Sequence, residues 1–125
     1  MGGNGSLLSG KLDNDETREY RTVMQLSKNI VVIELKGKHG TMPTESHTAN
    51  RIYVTMKKDG SGVREVAKFG KDHLKVWDLH THIHKGMTEG HIHFWKNGSP
   101  VGDPEDINDH PKIKELLNKI NSMLI

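Results

Sequence analysis

The sequence predicts an α+β fold: a small, mainly antiparallel sheet with an N-terminal helix and a C-terminal amphipathic helix. Three observations predict it. Residues 51–69 read as two β-rich runs around an Asp-Gly turn, residues 111–124 carry one apolar stripe at helical spacing, and acids at 13–16 precede apolar residues spaced as on a helix. The chain has 125 residues, which suits a single domain with one core. That domain is expected over 13–125, behind a flexible Gly- and Ser-bearing leader at 1–12.

Asp13, Asn14, Asp15 and Glu16 place acids at a helix start, and Tyr20, Val23, Met24 and Leu26 follow at approximate helical spacing, so a helix is expected over 14–28. Ile30-Val31-Val32-Ile33-Glu34-Leu35 is rich in β-branched residues and bounded by Gly37 and Gly40, the pattern of a buried strand. Residues 36–49 are polar, carry His39 and His47, and read as a long loop. Strands at 51–56 and 63–69 flank Lys58-Asp59-Gly60-Ser61-Gly62, whose Asp-Gly supplies the positive φ that hairpins use. Leu74 to Leu79 make a further strand and residues 91–95 another. Asp103-Pro104-Glu105-Asp106 has a capping residue, a proline at the first helical position and acids in the first turn, and Pro111 is placed to restart the helix. Ile113, Leu116, Leu117, Ile120 and Leu124 then form one stripe, which is core.

Composition narrows the function. The formal charge of +2 is too weak to argue for nucleic acid from net field alone. The absence of cysteine removes disulfides, thiolate metal sites and thiol nucleophiles. The longest apolar run is Ile30 to Ile33, far short of the roughly 20 residues of a membrane helix, so no membrane partner is expected. The nine histidines are the compositional excess, and their full protonation would carry the charge from +2 to +11.

Five of them alternate in Asp78-Leu79-His80-Thr81-His82-Ile83-His84 and His91-Ile92-His93-Phe94-Trp95. In strands, alternate residues share a face, so His80, His82 and His84 project together, as do His91 and His93. A six-residue turn over 85–90 would set His84 opposite His91 and His82 opposite His93. Three readings follow. The imidazoles could simply be a solvated strand face. They could ligate a divalent transition metal, zinc or nickel, through His80, His82, His84, His91 and His93, with Asp78 or Glu89 orienting the rings. Or His82, His84, His91 and His93 could run metal-free acid/base chemistry on a phosphodiester, with Lys85, Lys96 or Arg51 stabilising the developing charge. Lys57, Lys58, Arg64, Lys68, Lys71 and Lys75 could line a basic strip, and Trp77 and Trp95 could stack on bases, although core packing is the commoner role for tryptophan.

Across residues 51–124, the series Tyr53 to Gly60, Asp78-Leu79, His82-Ile83-His84-Lys85-Gly86, His91-Ile92-His93-Phe94-Trp95 and a terminal amphipathic helix resembles the small His-containing α+β domains at the C-terminal ends of bacterial polymorphic toxins and some phage head-associated proteins. The resemblance implies a nuclease acting on RNA, with general acid/base roles for His82, His84, His91 or His93, an immunity-type protein as partner and a cytoplasmic target. Besides the ribonuclease, the sequence leaves open a histidine-rich metal-binding module without nuclease activity and a structural virion or interaction domain.

Overall fold

The computed structural model describes residues 7–8, 20–35, 42, 45–46 and 48–124. They form strands β1 (Leu7–Leu8), β2 (Tyr20–Ser27), β3 (Ile30–Leu35), β4 (Glu45–Ser46), β5 (Ile52–Met56), β6 (Val63–Phe69), β7 (Lys75–His80), β8 (His91–Lys96) and β9 (Ser99–Asp106), a 3-10 turn at Ile107–Asp109, and helix α1 (Pro111–Met123). Seven strands make one mixed sheet in the order β2-β3-β5-β6-β7-β8-β9. Neighbours are antiparallel except β3 and β5, which run parallel. Leu7–Leu8, within the expected leader, pairs parallel with Glu45–Ser46.

This mixed sheet with a single helix corrects the expected α+β arrangement. The predicted N-terminal helix is absent from the described residues: its part over 20–27 is strand β2, and residues 14–19 lie outside them. The reason lies in the pairing with β3, whose register shifts between Thr22 and Met24 and again between Gln25 and Ser27. Each bulge adds a residue, so the period-2 alternation that marks a strand is broken and apolar positions drift toward helical spacing. The helix expected from Asp103 is likewise corrected. Ser99–Asp106 is the outer strand β9, and Pro100 and Pro104 are tolerated because an edge strand has no neighbour on one side to receive a donor. The capping chemistry exists a few residues later: Asp106 accepts from the Asn108 amide at 2.9 Å, and Pro111 stands at the start of α1. The long loop expected over 36–49 is described only at Met42, Glu45, Ser46, Thr48 and Ala49, and His39 and His47 fall outside the described residues.

The hairpin of β5 and β6 forms as the sequence indicates, with Val54 opposite Val66 and Tyr53 opposite Ala67. The pleat then sorts side chains onto two faces. On one face Ile30, Val32, Val54, Val66, Trp77, Leu79 and Ile92 pack with α1, which contributes fully buried Ile120 and partly buried Ile113, Leu116, Leu117 and Leu124. On the other, Val31, Ile33, Tyr53, Ala67 and Phe69 gather beneath Met42, and Tyr53 meets Phe69 edge-on at 5.6 Å. Trp77 therefore belongs to the core. Lys75, counted in the basic strip, is buried and leaves it.

Because Ile120 is the fully buried residue of the helix stripe, Ile120→Ala is expected to cost about 2–5 kcal/mol, and half-buried Leu117→Ala less. Urea unfolding of the two variants checks the order. Equal, small losses would mean that α1 is not packed on the sheet.

Candidate metal centre

The second face carries the histidines, and strand register places them. Cross-strand partners run Thr55, Glu65, His80, His91 and Asp106 along one row, and Ala67, Asp78 and His93 along the next. Facing residues in such rows have Cβ atoms roughly 5 Å apart, so carboxylates of β6 and β7 are brought against imidazoles of β7 and β8 by the backbone alone.

The hairpin register differs from the expected one. His80, not His84, lies opposite His91, and Asp78, not His82, opposite His93. The turn is tighter than six residues: His84 bridges Met87, and Lys85 and Gly86 between them have φ of 46° and 82°. Two successive positive φ values are the signature of a type I′ turn, which fixes the register of the whole hairpin. β7 meanwhile stops at His80. The Thr81 hydroxyl donates to the carbonyls of Val63 at 2.8 Å and Arg64 at 3.1 Å, and its amide donates to Arg64, which draws this stretch toward β6. Gly90 is needed opposite: at φ 141°, a Cβ there would stand 3.3 Å from the His80 carbonyl oxygen and 3.1 Å from a Leu79 methyl.

His80, His82, His84, His91 and His93 are brought into one cluster centred on His91. Its ring centroid lies 5.3 Å from that of His80, 4.9 Å from His82, 4.7 Å from His84 and 5.1 Å from His93. His80 also meets His82 at 5.6 Å and His93 at 5.3 Å. His91 is buried, His80, His84 and His93 are half-buried, and His82 is exposed at the rim.

Two carboxylates join them. Asp78 and Glu65 are 3% and 2% exposed, and the His80 Nε2 atom lies 3.6 Å from Asp78 Oδ1 and 3.8 Å from Glu65 Oε2. Asp78 Oδ2 accepts from the buried Lys75 ammonium at 2.9 Å, which also reaches the Met42 carbonyl at 3.4 Å and sits 4.6 Å from the centre of the Trp95 ring. Two buried polar atoms in the cluster have no hydrogen-bond partner, Asp78 Oδ1 and His91 Nδ1. Unpartnered buried atoms of this kind cost about 1–3 kcal/mol each unless something else satisfies them.

Burial opposes the charged form of every group here, and the neighbours reverse that push only for Asp78 and His80. Burial would raise the Asp78 carboxyl, but contact with His80 and Lys75 outweighs it and holds the group at about 2. Glu65 is raised, by burial first, with His80 pulling the other way and Asp78 adding to the rise. His80 is raised despite burial, because Asp78 and Glu65 favour its cation. His91 is pushed down to about 4, by burial and then by the charges of His80, His93, His82 and His84. His82 and His93 are lowered too, again by burial first, with Asp78 pulling His93 the other way.

The array suits a metal ion. A nitrogen about 2.0–2.1 Å from zinc puts its ring centroid about 3.2 Å from the ion, so two imidazoles on one tetrahedral ion stand roughly 5.3 Å apart. The observed separations of 4.7 to 5.6 Å bracket that value. Adjacent donors on such an ion are roughly 3.4 Å apart, close to the 3.6 and 3.8 Å between His80 and the two carboxylates. Among the described residues, Glu65, Asp78 and His80 form a group with all donor atoms within 4.8 Å of one another.

Other residues singled out in the sequence lie elsewhere. Glu89 accepts from Asn108 at 2.8 Å and pairs with Lys114 at 3.5 Å, so it ties the turn to α1 and does not orient a histidine of the cluster. Arg51 stands just ahead of β5, three strands from β8, and exposed Lys96 ends β8 opposite Ser99. Lys85 is exposed at the turn tip. A cavity of about 580 Å³ between the β5–β6 turn and the end of α1 contains none of the histidines. Glu65 was missed, and its signal was present: in Val63, Glu65, Ala67 and Phe69 a carboxylate occupies an alternating position otherwise filled by buried apolar residues. Comparison with family models, curated proteins and solved structures yields no match. The likeness to toxin and phage domains therefore stands on its quoted residues alone.

With a chelator present, stability is expected to fall as pH drops from the ordinary histidine value of 6.5 toward about 4. In that window the unfolded chain takes up a proton that buried His91 refuses, so the unfolded state is favoured by up to about 3 kcal/mol. His80 acts in the opposite sense: its contribution is present below 6.5 and is lost as pH rises through its raised value. Thermal melts across pH 4–7 check this, and His91→Asn should flatten the slope. An unchanged slope in that variant would assign the effect to other groups.

Proposed function

We propose that this chain is a metal-binding domain that takes a divalent transition ion, zinc or nickel, at the cluster formed by Glu65, Asp78 and the histidines 80, 82, 84, 91 and 93. The observation that carries the reading is the pair of buried, unpartnered donors, Asp78 Oδ1 and His91 Nδ1, within an array whose ring spacing matches that of imidazoles sharing an ion. Mixed nitrogen and oxygen donors without sulfur suit Zn²⁺ or Ni²⁺, and the cysteine-free composition leaves no thiolate to compete with them. Lys75 commits one oxygen of Asp78 and leaves the other for an ion.

A second reading, phosphodiester cleavage in RNA, is favoured by the placement of His82 on the exposed rim, with Lys85 exposed on the same turn. The resemblance over residues 51–124 implies the same substrate. In that case His82 would take the proton of a 2′-hydroxyl or position a metal-activated water, and Lys85 would face the phosphate.

Zinc titration of untagged, chelator-treated protein tests the first reading. Zinc at 100 times Kd should stabilise the wild type by about 2.7 kcal/mol, and His91→Ala should lose most of that gain. Absence of any zinc-dependent stabilisation would overturn the reading. An RNA cleavage assay on the same samples separates the second: activity abolished by chelator assigns the step to the ion, chelator-resistant activity lost in His82→Ala assigns it to imidazoles alone, and no cleavage leaves a metal-binding domain.

A further inference from the structure

Seven potential ligands meet on this face, and a tetrahedral ion uses at most four. The donor atoms choose among them. Those of Glu65, Asp78 and His80 lie within 4.8 Å of one another, and among the described residues no donor atom of His82, His84, His91 or His93 joins such a group. His80 Nε2 stands 3.6 Å from Asp78 Oδ1, which has no hydrogen-bond partner, and 3.8 Å from Glu65 Oε2. The side chains of Glu65 and Asp78 are 3% and 5% exposed and that of His80 is 26% exposed, so the triad is covered on its carboxylate side and open beside the imidazole. On the next strand stand His91 and His93, each with its ring 5.3 Å from that of His80.

We infer that one ion sits on Glu65, Asp78 and His80 and takes an oxyanion of the phosphate class at its open position, against the imidazoles of His91 and His93. The inference rests on the metal-binding reading above and names the ligand that the ion receives. Three protein ligands and one free position are the composition of zinc centres that bind water or substrate, whereas a fourth protein ligand closes the ion off. A divalent ion balances the two carboxylates, and the Lys75 ammonium, 2.9 Å from Asp78, leaves one positive charge over. That surplus favours an anion over a neutral ligand. Each neutral imidazole carries one N–H, and the buried Nδ1 of His91 has no protein partner, so β8 can supply the hydrogen bonds that an oxyanion on the ion needs. Loss of an outer contact of this kind weakens metal binding by about 10–100-fold, which is how His91 supports the ion without ligating it.

X-ray absorption of the untagged, chelator-treated full chain loaded with one equivalent of zinc tests the ligand set, and should show one imidazole with oxygen at the remaining positions. Cobalt in place of zinc tests the open position: inorganic phosphate should shift its visible spectrum to a saturating limit while the ion stays with the protein through gel filtration. Half-buried His93→Ala should keep the ion and weaken phosphate by about tenfold or more. His82→Ala, altered at the exposed rim, should leave ion and phosphate binding unchanged. Two or more imidazoles on the ion overturn the inference and leave the metal-binding reading standing. A cobalt spectrum indifferent to phosphate, or phosphate that only strips the ion, does the same. No uptake of either metal by wild type overturns both.

Discussion

The buried ion pair between Lys75 and Asp78, 2.9 Å long and almost wholly removed from water, is the contact on which the polar face depends. Removing two charges from water costs several kcal/mol per ion, and their attraction returns this only with good geometry and further hydrogen bonds. Lys75 has that support, from the Met42 carbonyl and the face of Trp95. Asp78 has less, because its second oxygen meets only the His80 Nε2 atom, at 3.6 Å, and is left without a hydrogen bond. Apolar residues of similar volume would serve stability as well as such a pair, or better. A face that retains it, and adds Glu65 and His91, carries a cost that the rest of the fold must offset.

The cost is borne by the opposite face. There α1 lays Ile113, Leu116, Leu117, Ile120 and Leu124 across the apolar side of the sheet, while on the histidine side a smaller cluster of Val31, Ile33, Tyr53, Ala67 and Phe69 packs beneath Met42. The pleat makes this separation automatic: Leu79 and Ile92 pair on the helix side while His80 and His91 pair on the other. A rigid sheet also restricts how the rings can separate. Burial is the main cause that holds His91 at about 4, and repulsion among protonated imidazoles that cannot move apart adds to it as a further loss of proton affinity.

The fold was legible where local rules act alone and illegible where pairing overrides them. The β5–β6 hairpin and the C-terminal stripe follow from turn chemistry and from a 3.6-residue period, and both were readable. β2 was not, because two bulges erase its alternation and the acids ahead of it imitate a helix start. β9 was not, because Asp103-Pro104 satisfies the rules for a helix start equally well as the rules for an outer strand. Only the presence of β8 beside it decides.

The clustering of the histidines on one face was legible to a greater degree than the register that builds it. Lys85-Gly86 at the centre of the turn, rather than a six-residue loop, shifts the hairpin by four residues from the expected pairing. A shift of one would have put the histidines of one strand on the opposite face from those of the other, but an even shift keeps each side chain on its face. The alternation in residues 80–84 and 91–93 therefore specified the clustered face without specifying the partners. What it could not specify was the neighbour across β6. Asp78 adjoins the motif in sequence, whereas Glu65 reaches His80 only because β6 pairs with β7, a contact fifteen residues away along the chain. Local pattern finds the polar side chains that share a strand, and sheet order decides which distant carboxylate joins them.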